Sequence, residues 1–277
     1  MKQHFTRTRI APTPSGYLHL GNAYSFLITQ KFAAGTGAGI FLRIDDLDQQ
    51  RVEQAYIQDI FETLDFLGIV YNEGPGDPSD FETRYSQLRR LPLYENALKK
   101  LTEAGKVFAC TCSRTQILQD NSSGVYPGTC LHKRLPLDTP NAAWRLNTRD
   151  AGQIKINTLH GSTVHDLPSS MNYFVVRKKD GAPSYQLASL IDDVHFGIDL
   201  VVRGKDLWAS TLGQLLLAEV LGYNEFRNVC FHHHDLLETP SGEKLSKSAG
   251  AESIHYLRGQ GKTKDEVLRM INEHLLW

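Results

Sequence analysis

The sequence predicts an α/β protein whose parallel sheet is interrupted by an insertion and then resumed. Three observations carry this. Residues 6–11 read as a strand, a Pro/Gly turn follows, a helix is expected over 21–34 ending at Gly35, and an apolar strand Ile40–Ile44 comes next. A β-turn-α-β order places its two strands parallel, because the helix returns the chain to the starting edge. From about 106 to 170 the periodicity breaks into short strands and turns. It returns with Tyr173–Arg177, Leu187–Ile191 and Leu200–Arg203, and a helix over 209–221 closed by Gly222. The expected organisation is a first catalytic half at 1–105, an inserted subdomain at 106–170 and a second half at 171–277.

The remaining elements follow from spacing. Tyr56, Ile57, Ile60, Phe61, Leu64 and Leu67 recur at helical intervals before Gly68, so a helix is expected over 53–67. Leu93, Ala97, Leu98 and Leu101 repeat the device over 92–104 before Gly105. Residues 72–79 hold two glycines and two prolines and read as a loop. Val267, Leu268, Met270 and Ile271 mark a terminal helix. Ligands of such sheets bind beyond the carboxyl ends of the strands, which places Arg9–Asn22 and Asp45 on the ligand side.

Composition sets limits. The 277 residues are 41% hydrophobic and 22% charged, as in an ordinary globular protein with a sizeable core. No apolar run reaches the length of a membrane span, and the first residues carry charges where a signal peptide needs an apolar core, so a cytoplasmic chain without membrane contact is expected. The net charge of −1 does not mark a general nucleic-acid binder. Any RNA contact must come from a local basic face, for which Arg7, Lys178, Lys179, Arg203 and Lys205 are the candidates.

Two distant motifs carry the chemistry. Arg9-Ile-Ala-Pro-Thr-Pro-Ser-Gly-Tyr-Leu-His-Leu-Gly-Asn22 runs from a strand into a helix N-terminus, where backbone N–H groups and the His19 imidazole face a phosphate. Lys244-Leu-Ser-Lys-Ser248 adds two ammonium groups near the other end. ATP-driven activation of a carboxylic acid needs a positioned attack on the α-phosphate and stabilisation of the charge on the departing pyrophosphate. His19, Lys244 and Lys247 suit that task as catalytic groups, with Gly21 and Asn22 completing the nucleotide contacts.

These motifs resemble the class I glutamyl-tRNA synthetase family, most closely its short glutamyl-Q tRNA(Asp) synthetase branch. The likeness runs through Arg9-x-Ala11-Pro-Thr-Pro-Ser-Gly16, His19-x-Gly21, Arg43-Ile-Asp-Asp46, Cys110-Thr-Cys112, Tyr126-x-x-x-Cys130, Tyr185-x-Leu-Ala188, Asp192-Asp193, Val202-Arg-Gly-Lys-Asp206 and Lys244-Leu-Ser-Lys247. It implies a Rossmann-like class I catalytic domain with a zinc-binding insertion, using ATP with Mg2+, glutamate and tRNA. It implies further that Arg9, Ala11, Thr13, Asp45, Tyr185 and Arg203 surround the amino acid. Chemistry agrees, since a substrate carboxylate suits a bidentate guanidinium and an α-ammonium needs an anion. Position 45 is Asp where the glutamate-specific branch usually has Glu, so the glutamine-activating relatives, which use Asp there, supply a second candidate substrate.

Cys110, Cys112 and Cys130 offer three thiolates at close spacing, and Tyr126 or His132 can complete a tetrahedral zinc site. Imidazole is the commoner fourth ligand, whereas the short branch of the family implies Tyr126, the residue taken here. Such a zinc would be structural. His232-His-His234 reads as extended chain whose side chains alternate between faces, not as a metal cluster.

Long members of the family continue past the lysine loop into anticodon-reading domains. This sequence stops at Trp277, so no anticodon-binding domain is expected, the chain is taken as a monomer, and the queuosine base of tRNA(Asp) becomes the expected acceptor. A tRNA 3′ end is the alternative acceptor, and a non-catalytic tRNA- or adenylate-binding paralogue is the alternative of another class.

Overall fold

A computed structural model describes residues 4–237 and 253–272 of the chain. The lysine motif at 244–248 lies outside the described residues. In chain order the elements are β1 (Arg7–Ile10), α1 (Leu20–Thr36), β2 (Gly39–Leu42), α2 (Gln54–Leu67), the short α3 (Pro78–Asp80), α4 (Leu91–Glu103), β3 (Val107–Cys110) and α5 (Arg114–Asp120). Then come β4 (Ala143–Leu146), β5 (Ile154–Thr158), β6 (Gly161–His165), β7 (Val175–Arg177), α6 (Tyr185–His195), β8 (Leu200–Gly204), α7 (Trp208–Leu221), α8 (Asn224–Arg227), β9 (Cys230–His234), α9 (Ile254–Gly259) and α10 (Lys264–Asn272). They form two compact units. One takes residues up to 89, residues 200–206 and those from 232 onward, and the other takes 90–199 and 207–231.

In the first unit β1 and β2 pair in parallel from Arg7 with Gly39 to Ile10 with Leu42, and α1 is the crossover between them. β8 packs beside β1, and α1 covers both. β2 ends at Leu42, two residues before the strand expected from its apolar run. β1 has by then run into Pro12, which has no N–H to extend a ladder. The two chains stay joined past the strands through Arg43 N–H to Ile10 O at 2.9 Å and Asp45 N–H to Pro12 O at 2.9 Å. The register of β1 and β2 therefore fixes where Asp45 stands.

The first helix begins at Leu20 and ends beyond Gly35, at a left-handed Gly37 with φ 78°. Two glycines lie two residues apart, and only Gly37 takes the conformation that turns the chain back to β2. α2 ends as expected at Gly68, φ 65°. Gly74 is the position where nothing larger fits: φ is 109°, and a Cβ would collide with the Leu42 carbonyl.

The second unit has antiparallel sheet, with β3 pairing β4 and β4 pairing β7. β5 pairs β6 antiparallel and continues in parallel with Cys230 and Phe231 of β9. Leu187–Ile191, read in sequence as part of the resumed pattern of apolar segments, lies inside helix α6. Five apolar or small residues satisfy either periodicity, and what decides is Ser184, whose hydroxyl accepts the Leu187 N–H as an N-cap. α6 packs against α4 and α7.

Asp192 of α6 is fully buried and joins α4 to α6. Its carboxylate takes the Arg90 guanidinium side-on, at 2.7 and 3.1 Å, and the Tyr94 hydroxyl at 2.7 Å. Burial and the Asp192 charge push the Tyr94 phenol far above its ordinary value.

Candidate active site

His19 is the N-cap of α1. Its ring Nδ1 accepts the Gly21 N–H at 3.1 Å, and the Asn22 Oδ1 accepts the His19 N–H at 3.1 Å, a reciprocal box that fixes the imidazole at the helix N-terminus. Because a backbone donor occupies Nδ1, the neutral ring carries its proton on Nε2. Asn22 thus has a structural use that a sequence reading for nucleotide contact does not disclose.

The segment bearing His19 is held from behind by Asp59 of α2, which is 1% exposed. Asp59 accepts the Leu18 N–H at 3.3 Å and the Arg258 Nη2 at 2.6 Å, with His255 Nδ1 at 3.4 Å. The His255 ring stacks on Tyr17, centroids 4.1 Å apart, and Ile254 N–H donates to Leu18 O at 2.8 Å. Sequence reasoning missed this node, since 199 residues separate Asp59 from Arg258.

Arg9, Asp45 and Arg203 belong to the same unit and are 5%, 8% and 4% exposed. Arg9 lies on β1 and donates from Nη1 to the Val202 carbonyl of β8 at 3.2 Å. Arg203 follows on β8. Asp45 receives Arg43 in bidentate fashion, Nε to Oδ1 at 2.7 Å and Nη2 to Oδ2 at 3.0 Å. The signal for this pair was present in the sequence, because residues two apart on an extended chain share a face. The carboxylate is thereby oriented, and a substrate ammonium would share it with Arg43. Neighbouring Asp46 is tied by the Gln87 N–H at 2.7 Å and the Ser86 hydroxyl at 2.6 Å.

Ala11 and Thr13 flank Pro12 on the loop leaving β1, and the Thr13 carbonyl accepts the Ser15 N–H at 2.9 Å. Tyr185 opens α6 in the other unit and is exposed. Lys244 and Lys247 are not among the described residues.

The three histidines alternate along β9. His232 packs on Phe32 of α1 with centroids 4.1 Å apart, while His234 meets the Tyr24 edge and pairs through Nε2 with the Ser25 hydroxyl at 3.0 Å. His233 is pushed down to about 3, first by burial and then by the charges of Arg203, its flanking histidines and Arg9. It is a neutral imidazole beside two guanidinium groups. A histidine depressed in the fold favours the folded state above its unfolded value and loses that contribution as the pH falls from about 6.5 toward 3. His233 should accordingly remain unprotonated at pH 5 by NMR titration. In His233→Gln the decline in stability between pH 6.5 and 4 should flatten, and an unchanged acid limb would remove this role.

In the second unit the Cys110, Cys112 and Cys130 sulfurs all lie within 4.8 Å of one another, a group able to hold a metal ion. Cys112 Sγ and Cys130 Sγ are 3.5 Å apart. The Tyr126 hydroxyl is 3.3 Å from Cys110 Sγ and accepts the Cys130 N–H at 2.8 Å. His132 points its Nε2 to Arg149 instead, at 2.7 Å. At Cys130 burial opposes ionisation, but the Thr111 N–H, Tyr126 and the other two thiols outweigh it and bring the thiol down to about 7. Three soft donors of which one ionises readily fit a thiophilic divalent ion.

Comparison with known proteins shows the family. The profile of tRNA synthetases class I (E and Q), catalytic domain, matches residues 6–274. The chain belongs to that family. A glutamyl-Q tRNA(Asp) synthetase of Dechloromonas aromatica is 36% identical over 255 residues, covering 90% of this chain and 80% of that protein. A glutamyl-Q tRNA(Asp) synthetase of Rhodobacter capsulatus is 30% identical, covering 95% and 99%. Glutamate–tRNA ligase 2 of Acidithiobacillus ferrooxidans is 32% identical over 278 residues, and the chain spans 94% of itself but only 57% of that ligase's length. Among solved structures, glutamate-tRNA synthetase from Elizabethkingia anophelis superposes with a TM-score of 0.73 at 26% identity, over 91% of this chain and 54% of that one. The fold is that of a class I synthetase catalytic domain. No helix of the described residues is long and apolar enough to cross a membrane.

Proposed function

We propose that this chain activates glutamate with ATP and transfers the glutamyl group to the queuosine base of tRNA(Asp). The observation that carries the activation step is the gathering in one unit of an imidazole capping a helix N-terminus with two buried guanidinium groups and an oriented carboxylate. Arg9 and Arg203 would hold the glutamate carboxylates and Asp45 its ammonium, with Ala11 and Thr13 completing the pocket in this unit; Tyr185 is assigned to glutamate by the family motif alone. A glutamate carboxylate oxygen attacks the α-phosphorus of ATP, the bond to the β-phosphate oxygen breaks, and glutamyl-adenylate and pyrophosphate result. His19 donates its Nε2 proton as a hydrogen bond to a phosphate oxygen, while the α1 N-terminus and the lysines at 244 and 247 stabilise the negative charge gathering on pyrophosphate. Zinc, held by Cys110, Cys112, Cys130 and Tyr126, would cross-link the 110–130 segment and take no part in the reaction.

The queuosine acceptor is supported by the highest identity among the relatives described, 36%, which belongs to a glutamyl-Q tRNA(Asp) synthetase. ATP–pyrophosphate exchange with glutamate, glutamine and aspartate, with and without tRNA, tests the activation step. Glutamate should give the fastest exchange and should need no tRNA. Labelled glutamate should then appear on queuosine-bearing tRNA(Asp). Fastest exchange with glutamine would reassign the substrate, and charging at the 3′ end of tRNA(Glu) would reassign the acceptor.

The metal reading has its own expected outcome. Purified protein should carry one zinc per chain, and Cys112→Ser should lose zinc and the protease resistance of the 110–130 segment together. Metal-free protein of full stability would remove it.

A further inference from the structure

His19 caps α1, but the two residues that deliver it there, Tyr17 and Leu18, belong to no helix and no strand. Two remote elements hold them instead. The Leu18 N–H donates to Asp59 Oδ2 of α2 at 3.3 Å, and the Leu18 carbonyl accepts the Ile254 N–H at the start of α9 at 2.8 Å. His19 itself bridges Ser253 in antiparallel fashion. The peptide joining Leu18 to His19 is thereby fixed at both polar atoms, its oxygen by Ile254 and its N–H by Asn22 at 3.1 Å. Tyr17 is clasped by rings, stacked on His255 at 4.1 Å with the Tyr56 edge at 5.0 Å.

A carboxylate 1% exposed is not needed merely to accept one N–H, and it requires a counter-charge. Asp59 has one in Arg258 of α9, whose Nη2 lies 2.6 Å from Oδ1 and 3.2 Å from Glu62 of α2. Such a pair adds little stability over apolar residues of similar volume. What it does add is an oxygen held in one direction: Oδ1 takes Arg258, and Oδ2 is left aimed at Leu18. We propose that Asp59, with Arg258 as its counter-ion, is a positioning residue for His19, holding the Leu18 backbone so that the imidazole presents Nε2 to the phosphate. A misplacement of about 1 Å can cost on the order of 100-fold in rate, so a hold that touches no substrate still bears on catalysis. The inference rests on the reading that His19 serves the ATP chemistry. It concerns the rate of activation and not the binding of glutamate.

The test separates the Leu18 hydrogen bond from the buried charges. Asp59→Leu/Arg258→Leu removes both charges together and takes the acceptor from Leu18, whereas Asp59→Asn/Arg258→Leu removes the same charges but leaves an amide oxygen for that N–H. In ATP–pyrophosphate exchange the leucine pair should lose roughly tenfold in kcat with the KM for glutamate unchanged, and the asparagine pair should return to within about twofold of wild type. Ile254→Pro removes the other hold. Ile254 is the first residue of α9, where proline is well accepted, and Ser253 already has the extended backbone that precedes a proline, φ −71° and ψ 144°. This variant should repeat the loss of kcat, while Ile254→Val, which is close to proline in size and keeps the N–H, should not. It also decides the matter if the leucine pair fails to fold. The nitrogen NMR signals of the His19 ring give a readout independent of activity: the Nε2–H tautomer in wild type and the asparagine pair, and a mixture of tautomers in the leucine pair and Ile254→Pro. Wild-type kcat with wild-type His19 signals in those last two would overturn the proposal. So would an asparagine pair as slow as the leucine pair, which would mark the loss as one of packing. Absence of exchange in wild type would instead sink the activation reading, and the His19 signals would then decide the positioning claim by themselves.

Discussion

Arg203→Ala is expected to raise the KM for glutamate roughly 100-fold, about 3 kcal/mol, while the protein stays folded. Removing one partner of a buried charge pair costs about 2–5 kcal/mol, much of it because the other charge is left buried. Arg203 is 4% exposed on β8, where Arg9 of β1 reaches the neighbouring Val202 carbonyl. In the proposed complex Arg203 meets a substrate carboxylate, so its loss should weaken the complex more than it weakens the empty protein. A readout independent of activity is available: Arg203 is the largest charge depressing His233, so His233 should titrate nearer its ordinary value in the variant. Unchanged KM with a shifted His233 would leave Arg203 where the structure has it and remove only its part in binding glutamate. An unshifted His233 would contradict the placement itself.

Much of the fold and site was legible because the deciding signals are local. The α2 terminus at Gly68 and the cysteine cluster each depend on residues within about twenty positions, and spacing alone exposes them. The family likewise rests on short blocks in a fixed order. Where the sequence fell short, two local solutions were equally good or the partner was remote. Gly35 and Gly37 both read as helix stops, and only closure onto β2 selects the second. Leu187–Ile191 fits strand or helix until the Ser184 cap is weighed. The acid at 45 was read for a substrate ammonium, and its bidentate Arg43 went unremarked although the alternation of a strand predicts it. Asp59 with Arg258 was beyond any local rule, because nothing in the α2 periodicity says that one of its buried positions must hold a carboxylate.

That remote class also contains the residue whose loss should cost most in stability. Asp192→Ala is expected to destabilise the protein by about 3–5 kcal/mol, because it leaves Arg90 charged inside the α4–α6 contact with no anion. Arg90 is only 6% exposed in its side chain and gives both its Nε and Nη2 hydrogen bonds to Asp192. Domains are stable by about 5–15 kcal/mol in all, so the variant should unfold on the order of 10 °C lower. Tyr94→Phe should cost far less, about 1 kcal/mol, since the carboxylate keeps its guanidinium partner when the hydroxyl at 2.7 Å is removed. The decisive comparison is the double replacement Arg90→Leu/Asp192→Leu. If the single loss reflects an orphaned buried charge, removing both charges should recover most of it, as buried ion pairs contribute little over apolar residues of similar volume. If thermal unfolding shows the double variant as unstable as Asp192→Ala, the pair is doing something apolar packing cannot replace, and the charge argument fails. If Asp192→Ala itself unfolds at the wild-type temperature, the second unit does not depend on this contact.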